Sequence, residues 1–217
     1  MIITLSDRKP RSTQALGASL AEQHLSALRA ALEKGEIPTG TLVLFDFKGI
    51  QSTNGSYIKG SAFWVFLCGQ LSTRHDASDL VGSGSTDPKP YDLYCAVANL
   101  SPEVEAEFNE FFGSRGLPFL IATRWNDEKV YSARLEGGIE PTLHKSLTYL
   151  VSMGKASAPE MHLRHPHENI TVTAWNNRLS DLHALRLVRR VRNGRQWEYQ
   201  PVTGGITHGR SIHQCKV

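Results

Sequence analysis

Residues 187–191 and 196–201 are strand-like runs that meet at Asn193-Gly194, two residues that accept positive φ and favour a tight antiparallel hairpin. Two strands alone bury too little apolar surface to be stable, so neighbouring chain must pack against them. Residues 171–184 can do so, because Trp175, Leu179 and Leu182 recur at helical spacing. Thr173 is placed to cap that helix. Asn176, Asn177 and Ser180 fall opposite the apolar stripe, with Ala174 and Arg178 on its flanks. Upstream, Leu143, Leu147, Leu150 and Val151 have the i, i+4, i+7, i+8 spacing of one buried face, on a helix opened by Pro141 and closed at Met153-Gly154. A second short helix fits 158–164, and a turn follows through His165-Pro-His-Glu-Asn.

Charge divides the chain near the same boundary. Residues 1–139 carry 13 basic and 16 acidic side chains, whereas residues 140–217 carry 11 basic and 5 acidic ones, so the C-terminal part is the face an anionic partner would meet. Three helices and a basic hairpin in this order, over 139–202, resemble the winged helix-turn-helix of bacterial regulators. The resemblance implies binding to double-stranded DNA. Thr173, Asn176, Asn177, Arg178 and Ser180 would read or position the helix in a major groove, where asparagine pairs bidentately with adenine. Arg189, Arg190, Arg192 and Arg195 would hold phosphates. It also implies a homodimer, since two half-sites multiply a modest single-site affinity. Trp175 and Trp197 are expected in the packing rather than against bases.

The first 135 residues alternate strands with helices. The apolar start at 1–5 is followed by a polar loop, a helix over 16–34 built on Ala21, Leu25, Leu28 and Leu32, and a strand at 41–47 whose nearly continuous apolar run suits burial on both faces. A small-residue turn at 48–56 leads to an apolar helix over 57–71. After a polar stretch at 72–90 come a strand at 93–98, a helix at 101–113 capped by Ser101 with Pro102 at its first position, and a strand at 117–123. Such a rhythm predicts an α/β layer domain. The stretch Leu42-Val-Leu-Phe-Asp-Phe-Lys-Gly-Ile-Gln-Ser-Thr-Asn-Gly-Ser resembles the STAS-like family of sensing and partner-binding modules. In sporulation-type members a serine at this turn is phosphorylated by a partner kinase, and Ser56 is the matching position; the plain structural alternative is that Ser56 caps the helix. Residues 203–217 are expected as a C-terminal tail.

Other functions find no motif. The sequence has no nucleophile elbow, phosphate-cradling glycine loop, zinc-protease pattern or paired carboxylates, so no enzyme, catalytic residue or cofactor is expected. His162, His165 and His167 are close in sequence, but no cysteine or carboxylate joins them at ligand spacing, and no metal is expected. Cys68, Cys95 and Cys215 are odd in number and widely spaced, as reduced thiols are. No apolar run has the length of a bilayer span, mean hydropathy is −0.30, and the first residues lack the features of a signal peptide, which predicts a soluble cytoplasmic protein with no membrane partner. The expected function is a transcription regulator whose N-terminal domain senses a signal or recruits a protein partner. The alternative is an adaptor whose N-terminal domain docks a kinase or ATPase.

Overall fold

Successive residues of the run at 41–47 enter two different cores, as a strand covered on both faces requires. In the computed structural model, which describes residues 2–4, 13–73 and 87–208, this run forms β3 (Thr41–Asp46). It belongs to a six-stranded sheet ordered β1 (Ile2–Thr4), β3, β5 (Leu93–Ala98), β6 (Phe119–Trp125), β7 (Val130–Glu136) and β11 (Gly205–His208). The first four strands run parallel, β7 is antiparallel to β6, and β11 is parallel to β7. A short parallel pair, β2 (Gln14–Ala15) with β4 (Ser52–Thr53), lies apart.

One face of the sheet presents Val43, Phe45, Leu93, Val97, Phe119 and Ile121 to a core shared with α1 (Ala18–Glu33), α2 (Gly55–Gly60), α3 (Ala62–Leu71) and α4 (Pro102–Gly113). The alternate residues Leu44, Tyr94, Ala96, Ala98, Leu120 and Ala122 enter a second core with α5 (Pro141–Met153), α6 (Ala158–Arg164) and α7 (Val172–Ala184). The architecture is mixed α/β, with helices on both faces of one sheet. Residues 1–135 and 139–202, expected as separate domains, therefore share a core. Full burial of a single Leu such as Leu147 or Leu179 is worth about 1.5–3 kcal/mol, so the shared layer fastens the two parts firmly.

Local signals set most of the helix boundaries. Ser101 Oγ accepts from Val104 N at 3.3 Å at the start of α4, as expected. Ser157 and Glu160 form a capping box at α6. The single helix expected over 57–71 is instead two: the backbone turns at Ser61, and Gly60 before it lies so near α1 that a Cβ there would be 2.9 Å from that of Ala21. Asn54, not Ser56, caps α2: its Oδ1 accepts from Tyr57 N at 3.0 Å and from Gly17 N at 3.1 Å. Ser56 is exposed in the first turn of that helix.

Strands β7 and β11 were not expected. Alternate residues of β7 are polar, and its Val130, Ala133 and Leu135 face the second core while Arg134 pairs with Glu105 and Glu136. The segment read as a C-terminal tail supplies β11, whose residues 205–208 pair with Ser132–Leu135. Residues 209–217, with Cys215, lie outside the described residues, as do 74–86 of the polar stretch. No helix among the described residues is long and apolar enough to cross a membrane.

Candidate nucleic-acid interface

The polar surface of the C-terminal part is assembled by α7 and the hairpin that follows it. Thr171, in extended conformation, is the cap of α7, its Oγ1 accepting from Ala174 N at 3.1 Å. Thr173, expected at the cap, is the second helical residue and is exposed. Trp175, Leu179 and Leu182 are buried on the inward stripe, and Asn176 and Asn177 are exposed opposite them. Two of the expected readers face elsewhere. Ser180 Oγ is 3.1 Å from Tyr199 OH, turned to the hairpin, and the Arg178 guanidinium lies 5.7 Å from the Trp175 ring.

The hairpin consists of β9 (Val188–Asn193) and β10 (Gln196–Pro201), with β8 (Ala156–Ser157) added along β10. Asn193 pairs with Gln196, so the turn is centred on Gly194-Arg195 rather than Asn193-Gly194. Gly194 has φ 58° and Arg195 does not share that positive φ, the pattern of a type II′ turn, in which glycine takes the first central position. Asn193 therefore ends the strand and Arg195 occupies the exposed tip.

Alternation along β9 divides the arginines expected to act together. Arg190 and Arg192 lie on the same side as Trp197, with guanidinium carbons 4.5 and 5.0 Å from its ring centroid, and Arg192 Nε donates to Gly194 O at 3.1 Å. This is the hairpin face toward α7, since Tyr199 two residues on meets Ser180. Arg189 points the other way, 5.4 Å from the Tyr94 ring of the sheet. The structure therefore leaves Thr173, Asn176 and Asn177 exposed on α7 and Arg192 and Arg195 exposed on the hairpin, with Arg190 half-buried on the same strand face as Arg192, and sets Arg189 on the opposite face. Packing a guanidinium on Trp197 limits its rotamers while leaving its donors outward.

The three clustered histidines build the turn before α7. His162 Nδ1 donates to Ile170 O at 2.8 Å, and His165 stacks on Tyr149 with ring centroids 3.9 Å apart. Tyr149 OH donates to Glu168 Oε1 at 2.6 Å, and Lys145 Nζ reaches the same oxygen at 2.7 Å. Burial, with the His167 charge next, pushes the His165 pKa below its ordinary value. Asn169, at φ 51°, completes the reversal.

Sequence reasoning did not find the join between α7 and the sheet. Just past α7, Arg186 is 2% exposed. Its Nε donates to Leu93 O at 3.0 Å, its Nη2 pairs with Asp92, and the guanidinium lies 3.8 Å from the Tyr94 ring. Gln70 Nε2 donates to Ala184 O at 3.3 Å, and His183 Nδ1 donates to Val188 O at 3.0 Å. A Cβ on Gly69 would overlap the Leu93 carbonyl oxygen and lie 2.7 Å from Arg186 Nε. A lone arginine in a basic stretch looks like every other arginine there. The available cue was Leu185-Arg-Leu-Val, where Arg186 interrupts an otherwise apolar run.

The chain matches no protein-family model, no curated protein and no solved structure.

Proposed function

We propose that the protein is a DNA-binding transcription regulator, with α5, α6 and α7 as a winged helix-turn-helix, β9–β10 as its wing, and the sheet half as a STAS-like sensing or recruiting layer. One observation carries this reading: α7 exposes Thr173, Asn176 and Asn177 and packs through Ser180 and Tyr199 against a hairpin whose Arg190 and Arg192 are held on Trp197. Short polar side chains let a helix approach base edges, and asparagine offers one donor and one acceptor to adenine. Arg190, Arg192 and Arg195 supply the phosphate contacts. Arg178 and Ser180 act as supports, through Trp175 and Tyr199. The protein works in the cytoplasm as a homodimer on paired half-sites.

Duplex affinity should fall steeply with salt. The Arg192→Ala/Arg195→Ala double variant should make the slope of log K against log salt shallower by about 1.8, since each phosphate contact contributes about 0.9. Fluorescence anisotropy at several salt concentrations measures it. An unchanged slope would remove the wing assignment and return the adaptor reading, in which exposed Ser56 is the partner-facing residue.

Base readout has a separate signature. After selection of bound sites from random duplex, Asn176→Ala and Asn177→Ala should each lower preference for the selected site by about 1–3 kcal/mol. Affinity for random duplex should stay the same. Equal losses on both DNAs would make the asparagines phosphate contacts instead.

A further inference from the structure

Arg189 is the one of the four hairpin arginines that faces the sheet, where its guanidinium lies 5.4 Å from the Tyr94 ring. Its Nε is buried and has no hydrogen-bond partner among the described residues. None of the ion pairs among those residues includes it. It lines a cleft of about 580 Å³ at the seam between the sheet and β9–β10, within the usual volume of a small-molecule site.

The cleft lies between β3, the β6–β7 turn and the β9–β10 hairpin. Leu42 and Leu44, on the alternating positions of β3 that face this side, line it together with Arg189 and its cross-strand neighbour Gln200. Glu128 and Lys129 from the β6–β7 turn are the other charged residues of the lining and nearly cancel one another. Arg189 therefore sets the sign of the cleft. A buried guanidinium nitrogen without an acceptor is costly, and a ligand carboxylate or similar anion removes the cost by accepting its N–H.

We propose that this cleft is a binding site for an organic anion with an apolar body, a carboxylate in the simplest case, whose charged group pairs with Arg189 while its body lies on Leu42 and Leu44. The site is distinct from the DNA-facing surface and does not depend on DNA binding. Because Arg189 and Arg190 are adjacent on β9 and point to opposite faces, the ligand would sit directly behind the wing.

Three probes separate charge from apolar contact: 2-naphthoate, its neutral counterpart 2-naphthylmethanol, and acetate. Each is titrated into the full chain and followed by amide NMR. 2-Naphthoate should give saturable shifts at Leu42, Leu44 and Gln200, with the other two compounds binding at least about tenfold more weakly, as expected when a charge-assisted hydrogen bond or the apolar contact is lost. Arg189→Gln should reduce 2-naphthoate to the level of the alcohol. Gln200→Glu, a surface change that leaves folding intact, places a carboxylate opposite Arg189 and should weaken 2-naphthoate by a similar factor. Arg192→Gln should change nothing. The proposal is overturned if no saturable shift occurs, if either control compound binds as tightly as 2-naphthoate, or if Gln200→Glu and Arg189→Gln both retain full affinity.

Discussion

Replacing Arg186 with Met should destabilise the protein by about 3 kcal/mol. Met keeps the length and apolar stem of the side chain, so the change removes mainly charge and hydrogen bonding. Three favourable contacts are lost together: the ion pair with Asp92, the bond to Leu93 O and the approach to the Tyr94 ring. Charge-assisted hydrogen bonds contribute about 1.5–3 kcal/mol each, and a desolvated cation–π contact about 2. Release of the guanidinium to a neutral side chain recovers part of the desolvation cost, which brings the net loss to about 3 kcal/mol. The Asp92 side chain, 30% exposed, regains water in Arg186→Met, whereas Asp92→Asn leaves the buried Arg186 charge without its counter-charge and should also cost about 3 kcal/mol.

Urea unfolding measures both losses, with a lower midpoint and an unchanged slope. Equal stability of the Arg186→Met and parent chains would make this buried pair neutral, as some are. Gly69→Ala should reproduce the loss from the other side of the contact. Its new Cβ meets backbone oxygen rather than a movable side chain, and overpacking of that kind costs about 1–3 kcal/mol. Together the two variants test whether the end of α7 is held to β5 and α3 by this joint.

What could be read from the sequence was whatever is encoded locally. The stripes of α1, α5 and α7, the Ser101 cap and the hairpin all follow from spacing within about fifteen residues. The strand at 41–47 was recognisable because a run buried on both faces is apolar at every position. The break at Ser61 was hidden, because it falls inside an apolar run, and the close packing of Gly60 on Ala21 joins segments about forty residues apart. Strand β7 was hidden for a different reason. Its core-facing residues are Val130, Ala133 and Leu135, so the alternation slips by one between 130 and 133, where the pairing with β6 shifts register.

The polar surface was legible in composition but not in direction. Alternation gives the relative sides of Arg189, Arg190 and Arg192, yet which side meets α7 is fixed by Trp197 and Tyr199 across the ladder. The turn shows the same limit. Asn193-Gly194 and Gly194-Arg195 are both acceptable turn centres, and pairing of β10 with β8 helps choose between registers. The Arg189 cleft depends on how the hairpin packs beside the distant β3 and the β6–β7 turn and has no local signal.

Acidification should loosen the same joint through His183. This side chain, on the last turn of α7, is 6% exposed, and its Nδ1–H is used by Val188 O. Burial is the main cause that holds its pKa down at about 4, with Arg186 and Arg190 adding to the effect against the Val188 hydrogen bond and Asp92. In the unfolded chain the imidazole titrates near 6.5. As pH falls through 6.5 the unfolded chain takes up a proton that the folded chain refuses, so stability declines between about 6.5 and 4 and levels off below, where both forms are protonated. The full loss is about 3 kcal/mol. His183→Asn keeps a donor for Val188 O without the titration, and its stability in urea should be nearly flat over that window while the parent chain declines. Parallel pH profiles for the two would show that the decline belongs to other groups. Glu160 and Glu168, whose pKa values lie below the ordinary carboxylate value, lose their contributions at more acidic pH. The neutral imidazole therefore ties the end of α7 to β9 at neutral pH, and its protonation opposes the packing of α7 on Tyr94 beside the fixed charges of Arg186 and Arg190.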